Sequence, residues 1–133
     1  MDIQKKETIV VKRTIDDLIQ TATTYDIKKL DIIYHDNLNV IMIDVDDNLN
    51  TANKDTFKAI FKSKKEAGEP SMNTWAKYHK IDVNDNKAHV LLSRKNNLSG
   101  INQILLLSID LIFEDNRWQV IREVIFLRPD LER

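Results

Sequence analysis

Apolar and polar side chains alternate along two long runs, 101–114 and 117–128, separated only by Asp115-Asn116. Both runs are rich in β-branched and aromatic residues, and a two-residue polar pair suits a tight turn. They predict a β-hairpin that forms the spine of one curved sheet. A two-residue turn would set Glu114 opposite Arg117, Phe113 opposite Trp118, Leu111 opposite Val120, Ile109 opposite Arg122, Leu107 opposite Val124 and Leu105 opposite Phe126. That face is apolar except for Arg122. The other face carries Ile104, Leu106, Ile112, Ile121, Ile125 and Leu127 among Ser108, Asp110, Gln119 and Glu123. It is more apolar than a solvated face, so something is expected to cover it.

Upstream, Val11, Ile15, Leu18, Ile19 and Ala22 recur at helical spacing and predict a first helix from about Glu7 to Thr23. Asp26 is a good N-cap for a second, shorter helix that buries Ile27, Leu30, Ile33 and Tyr34 and is broken by His35-Asp36-Asn37. Leu38 to Val45 reads as a strand, followed by a turn and a short return strand at Leu49-Asn50-Thr51. Asn53 caps a third helix whose Phe57, Ile60, Phe61 and Lys64 share a face, and Gly68 before Pro70 ends it. Asn73 to Val83 and Lys87 to Arg94 form a second hairpin around Asp85-Asn86, with Val83 opposite Ala88, Ile81 opposite Val90, His79 opposite Leu92 and Lys77 opposite Arg94. Its core face is Trp75, His79, Ile81, Val83, Ala88, Val90 and Leu92, and Lys95 to Gly100 is a polar loop. Helices grouped on one face of an antiparallel sheet make an α+β domain.

Composition narrows the partners. The 133 residues suit one domain, 1–133, with a core of its own. There is no cysteine, which excludes disulfides, thiolate metal sites and cysteine nucleophiles. Lys+Arg 20 against Asp+Glu 21 leaves no global field to recruit nucleic acid or an anionic membrane. No apolar run approaches the ~20 residues of a membrane span, and the first residues do not read as a signal peptide, so a cytoplasmic protein is expected.

Three segments carry a family resemblance: Asp26-Ile27-Lys28-Lys29-Leu30 through Tyr34-His35-Asp36, the turn and short strand before Lys54-Asp55-Thr56-Phe57-Lys58-Ala59-Ile60, and the closing Phe113-Glu114-Asp115-Asn116-Arg117-Trp118-Gln119-Val120-Ile121. With these the chain resembles the nuclear transport factor 2-like superfamily, which includes ketosteroid isomerase, scytalone dehydratase and SnoaL-type polyketide cyclases. The resemblance implies a cone-shaped, cystatin-like fold: a curved antiparallel sheet with three helices on its concave face, a pocket beneath them, and a homodimer through the outer face. Aligned on Asp26 and Tyr34-His35-Asp36, the isomerase's base carboxylate falls near Met42, its oxyanion tyrosine near Leu18 and its protonated aspartic acid near Ile109, so all three roles are vacant.

Arg122 and His79 are the polar residues on otherwise apolar inner faces, and with Trp75, Tyr34 and Met42 they make up the candidate pocket wall. A buried guanidinium must meet an anion. Arg122 either binds a small apolar or acidic ligand with His79 as acid, base or donor, or pairs internally with Asp36 or Asp44. Asp44, Asp46 and Asn48 partly match a calcium loop, but Leu49 stands where glycine is wanted and the segment reads as a β-turn. His35, His79 and His89 are scattered, so no metal or cofactor is expected. Asn97-Leu98-Ser99 fits a glycosylation sequon that a cytosolic chain would not use, and no serine sits in an elbow motif. Ile104, Leu106, Ile121, Ile125 and Leu127 are the candidate dimer face. No catalytic residue is identified. The expectation is a non-catalytic dimeric small-molecule-binding or association module, and the alternative an isomerase, cyclase or dehydratase acting on a small apolar substrate.

Overall fold

The computed structural model describes residues 3–96 and 102–130, and among them three helices pack on one face of a six-stranded sheet. Helix α1 (Ile3–Thr23) buries Val11, Ile15, Leu18 and Ile19, the stripe read from the sequence. It begins four residues earlier than that stripe suggests. Asp26 caps α2 (Ile27–Ile33), accepting from the Lys29 amide at 3.3 Å. The chain turns extended at Tyr34, so strand β1 (Tyr34–Ile43) starts before Leu38, with Tyr34 already paired to Val120. Asp44 then ties the turn by accepting from the Asp46 and Asn48 amides at 2.9 Å each. Strand β2 (Leu49–Asn53) follows, and Asn53 caps α3 (Lys54–Glu66) through the Thr56 amide at 2.9 Å. Gly68, at φ 70, ends that helix as its left-handed residue.

Strands β3 (Ala76–Asn84), β4 (Lys87–Asn96), β5 (Gln103–Glu114) and β6 (Arg117–Pro129) complete the sheet in the order β2-β1-β6-β5-β4-β3. Every neighbouring pair is antiparallel except β1 and β6, which run parallel, so the sheet is mixed rather than wholly antiparallel. The exception arises because β1 and β6 are joined through five other elements, and no hairpin constrains their direction. The loop expected from Lys95 begins later, since β4 runs to Asn96. The Asn97-Leu98-Ser99 sequon and Ile101 lie outside the described residues. No helix among the described residues is long and apolar enough to cross a membrane.

Two bulges correct the expected registers. Near its turn the spine pairs as read, with Glu114 opposite Arg117, Phe113 opposite Trp118 and Leu111 opposite Val120. Asp110 then pairs with Arg122, leaving Ile121 as one extra residue in β6. Beyond it the faces exchange: Glu123, Ile125 and Leu127 turn inward, and Arg122, Val124 and Phe126 turn outward. The second hairpin pairs as expected from Val83 to Ile81. There His79 is the extra residue, Tyr78 pairs with Leu92, and Ala76 pairs with Arg94. Tyr78 reaches back to α1, donating to Asp16 at 2.6 Å, while Lys12 lies 4.7 Å above its ring.

The spine turn holds two successive left-handed residues, Asp115 at φ 55 and Asn116 at φ 63, as a type I′ hairpin requires. Asn116→Val should therefore lower stability by about 1–2 kcal/mol in urea denaturation, because a β-branched side chain is strained there, whereas Asn116→Gly should stay close to wild type.

Candidate ligand cavity and its buried carboxylate

Inner-face side chains line up in rows across the sheet. Ile81, Val90, Ile109, Glu123 and Val40 form one row. Tyr78, Leu92, Leu107, Ile125 and Met42 form the next, and Arg94, Leu105 and Leu127 a third. Helices α1 and α3 roof them with Ile15, Leu18, Ile19, Phe57, Ile60 and Phe61. Between roof and sheet lies a mainly apolar cavity of about 410 Å³, within the ~300–1,000 Å³ usual for small-molecule sites.

Glu123 is its polar centre. It is only 5% exposed, and its Oε2 is buried with no hydrogen-bond partner among the described residues. The Tyr34 hydroxyl and the Arg94 guanidinium both neighbour the carboxyl and act on it electrostatically, the guanidinium without closing an ion pair. Burial pushes the Glu123 carboxyl up to about 7, although Tyr34 and Arg94 both pull it down. Burial, reinforced by the Glu123 charge, holds the Tyr34 hydroxyl well above its ordinary range. Burial also lowers Arg94, opposed by the charge of Glu123.

Arg94 also straps the loop before β3. Its Nη2 donates to the Asn73 carbonyl at 2.6 Å and its Nε to the Trp75 carbonyl at 3.0 Å. The Met72 amide donates to the Thr23 carbonyl at 3.0 Å, and the Tyr25 hydroxyl to the Pro70 carbonyl at 2.9 Å. Met72 and Asn73 are thereby held as part of the cavity wall.

The site residues read from the sequence divide. Tyr34 and Met42 line the cavity, as do Leu18 and Ile109, the other two positions aligned with the isomerase's catalytic groups. Arg122 does not, being exposed on the opposite face past the Ile121 bulge. His79 is exposed beside Ser93, with Nε2 2.7 Å from its hydroxyl, because the bulge at His79 turns it outward. Trp75 is 39% exposed and stacks against Lys95 at 4.8 Å. Asp36, one internal partner considered for Arg122, accepts from Lys54 at 2.9 Å instead, and Asp44 serves its own turn. Ile125 and Leu127 leave the expected outer face for the cavity wall, whereas Ile104 and Leu106 stay on the side away from it.

Arg94 was within reach of sequence reasoning, because β4 has no bulge in its pairing with β5 and alternation from Ala88, Val90 and Leu92 places Arg94 inward. Glu123 was not, since either phase of β6 puts one charged residue inside. Among the described residues no cluster of three or more His, Asp or Glu gathers to hold a metal ion. Thr23 also lines the cavity, but its hydroxyl donates to the Ile19 carbonyl at 2.7 Å. What the site offers chemically is a single carboxyl able to accept a hydrogen bond or exchange a proton near neutral pH.

No family model matches the chain, and no curated protein matches it. Solved structures do. A nuclear transport factor 2-like protein of unknown function from Silicibacter pomeroyi DSS-3 superposes with a TM-score of 0.73 at 14% identity, covering 96% of this chain and 100% of the other. The chain has the nuclear transport factor 2-like fold. A second such protein of unknown function, from Shewanella baltica OS155, gives 0.71 at 14% identity, covering 98% and 100%. A ketosteroid isomerase-like protein from Erwinia carotovora atroseptica SCRI1043 gives 0.65 at 14% identity, covering 93% and 98%. At these identities the likeness is one of fold.

The buried carboxyl makes stability pH-dependent in a defined direction. Folded Glu123 holds its proton more tightly than the unfolded chain, whose ordinary value is 4.5. Its contribution is therefore undiminished below pH 4.5 and is lost as pH rises through about 7, by roughly 3 kcal/mol in all. Glu123→Gln should gain on the wild type across that window, and parallel denaturant titrations at pH 5 and pH 8 would measure the difference. Equal gaps at both pH values would contradict it.

Proposed function

We propose that this chain is a homodimeric, non-catalytic small-molecule-binding protein of the cytoplasm, whose cavity takes a small, mainly apolar ligand. The observation that carries this reading is the pairing of an apolar cavity of about 410 Å³ with a carboxylate oxygen that has no partner among the described residues. An unpaired buried acceptor is destabilising, and proteins keep such groups where a ligand uses them. A cytoplasmic setting suits a chain without cysteine.

The dimer rests on the outer face. Ile104 and Leu106 of β5, Ile43 of β1, and Val124 and Phe126 of β6 lie together on the side away from the helices, and Phe126 is 37% exposed. Such a face on a two-fold axis meets its own copy. Ile121, in the bulge, is half-buried between the two faces.

A second reading has one specific observation in its favour. A carboxyl pushed up to about 7 in an apolar cavity suits a proton-transfer base, and the fold is shared with a ketosteroid isomerase-like protein. Under that reading Glu123 moves a proton on a small apolar isomerase, cyclase or dehydratase substrate, and Glu123→Gln abolishes turnover while retaining binding.

Two measurements test the proposal. A thermal-shift screen of small apolar compounds should find ligands that raise Tm by roughly 10 °C at about 100 Kd; a screen without any shift would remove the binding function. Light scattering at tens of micromolar, a typical range for a stable dimer, should give a dimer, and Leu106→Asp with Phe126→Asp a monomer. A monomeric wild type would remove the assembly.

A further inference from the structure

Resting on the binding reading above, we infer that the ligand class is neutral apolar molecules whose one polar head carries an O–H or N–H donor, directed at the Glu123 carboxyl. The geometry of the cavity selects this chemistry. The carboxyl lines the cavity, its Oε2 is buried without a partner among the described residues, and Ile109, Leu107 and Ile125 are its neighbours along the sheet. Tyr34 serves the carboxyl without satisfying this atom. A donor supplied from the cavity completes the carboxyl.

The charges around Glu123 disfavour an ionic head placed against its carboxyl. Arg94 of β4 acts on Glu123 from the same wall, and Lys64 of α3 and Lys95 of β4 also line the cavity. A cationic head reaching Glu123 would join three cations lining one space, and a carboxylate head would set its oxygens against the unpaired oxygen of Glu123. A neutral donor meets neither penalty. The titratable groups facing Glu123 are Tyr34 and Arg94; α1 contributes Ile15, Leu18, Ile19, Ala22 and Thr23, none of which titrates.

The test compares isomers that differ only in the donor. 1-Octanol and heptyl methyl ether have the same atoms, so calorimetry on the full chain at pH 8 isolates the hydrogen bond. 1-Octanol should bind about tenfold tighter or more, the value of a hydrogen bond to a charged group. The preference should shrink toward unity at pH 5.5, where the carboxyl, raised to about 7, is protonated and itself donates to either oxygen. Glu123→Leu should bind both isomers equally, and the wild-type series decides the matter should that variant not fold. Equal binding of the two isomers by the wild type at pH 8 would overturn the donor class while leaving the cavity reading intact. Tighter binding of octanoate or octylammonium than of octanol would overturn the neutral class. Failure of every probe, the ether included, would overturn the cavity reading and this inference with it.

Discussion

Ile121 is one residue too many for the ladder between β5 and β6, and every side chain beyond it faces the way it does because the sheet absorbs that residue as a bulge. Without it Arg122 would point into the cavity and Glu123 away. With it the carboxylate is inside and the guanidinium faces out, reversing the sign of charge at the centre of the cavity. The bulge at His79 acts likewise on the other side of the sheet. It turns Tyr78 inward to meet Asp16 of α1 and sends His79 out to Ser93. Bulged strands bend, and bent strands let a sheet of six enclose a cavity under α1 and α3 rather than lie flat against them.

A carboxyl held at about 7 by burial is a group the fold carries against its own stability. Its neighbours limit the loss without removing it: Tyr34 and Arg94 both pull the carboxyl down, and Oε2 is left without a partner among the described residues. Arg94 is itself committed, because its guanidinium straps the carbonyls of Asn73 and Trp75 and so builds the wall that Met72 and Asn73 contribute. One cation thus positions the loop and tunes the acid.

Local signals in the chain were sufficient for most of the elements. The caps at Asp26 and Asn53, the stop at Gly68, the turns at Asp85-Asn86 and Asp115-Asn116, and the apolar stripe of α1 each follow from nearest-neighbour chemistry, and each stands in the structure. The parallel pairing of β1 with β6 was not legible, because two strands joined through five intervening elements carry no local record of their relative direction.

The cavity divides along the same line. Phe57, Ile60, Phe61, Tyr34 and Met42 were placed toward it by period and resemblance, and they line it. Its charged centre was decided by tertiary structure alone. Val120, Ile121, Arg122 and Glu123 read equally well in either phase, since each phase buries one charge among apolar neighbours. By itself the sequence determined that a charged residue of β6 would enter the core. Which one did depended on the partner strand β5, whose unbroken Leu105, Leu107, Ile109 and Leu111 hold one face while β6 yields a residue to keep Ile125 and Leu127 packed against it.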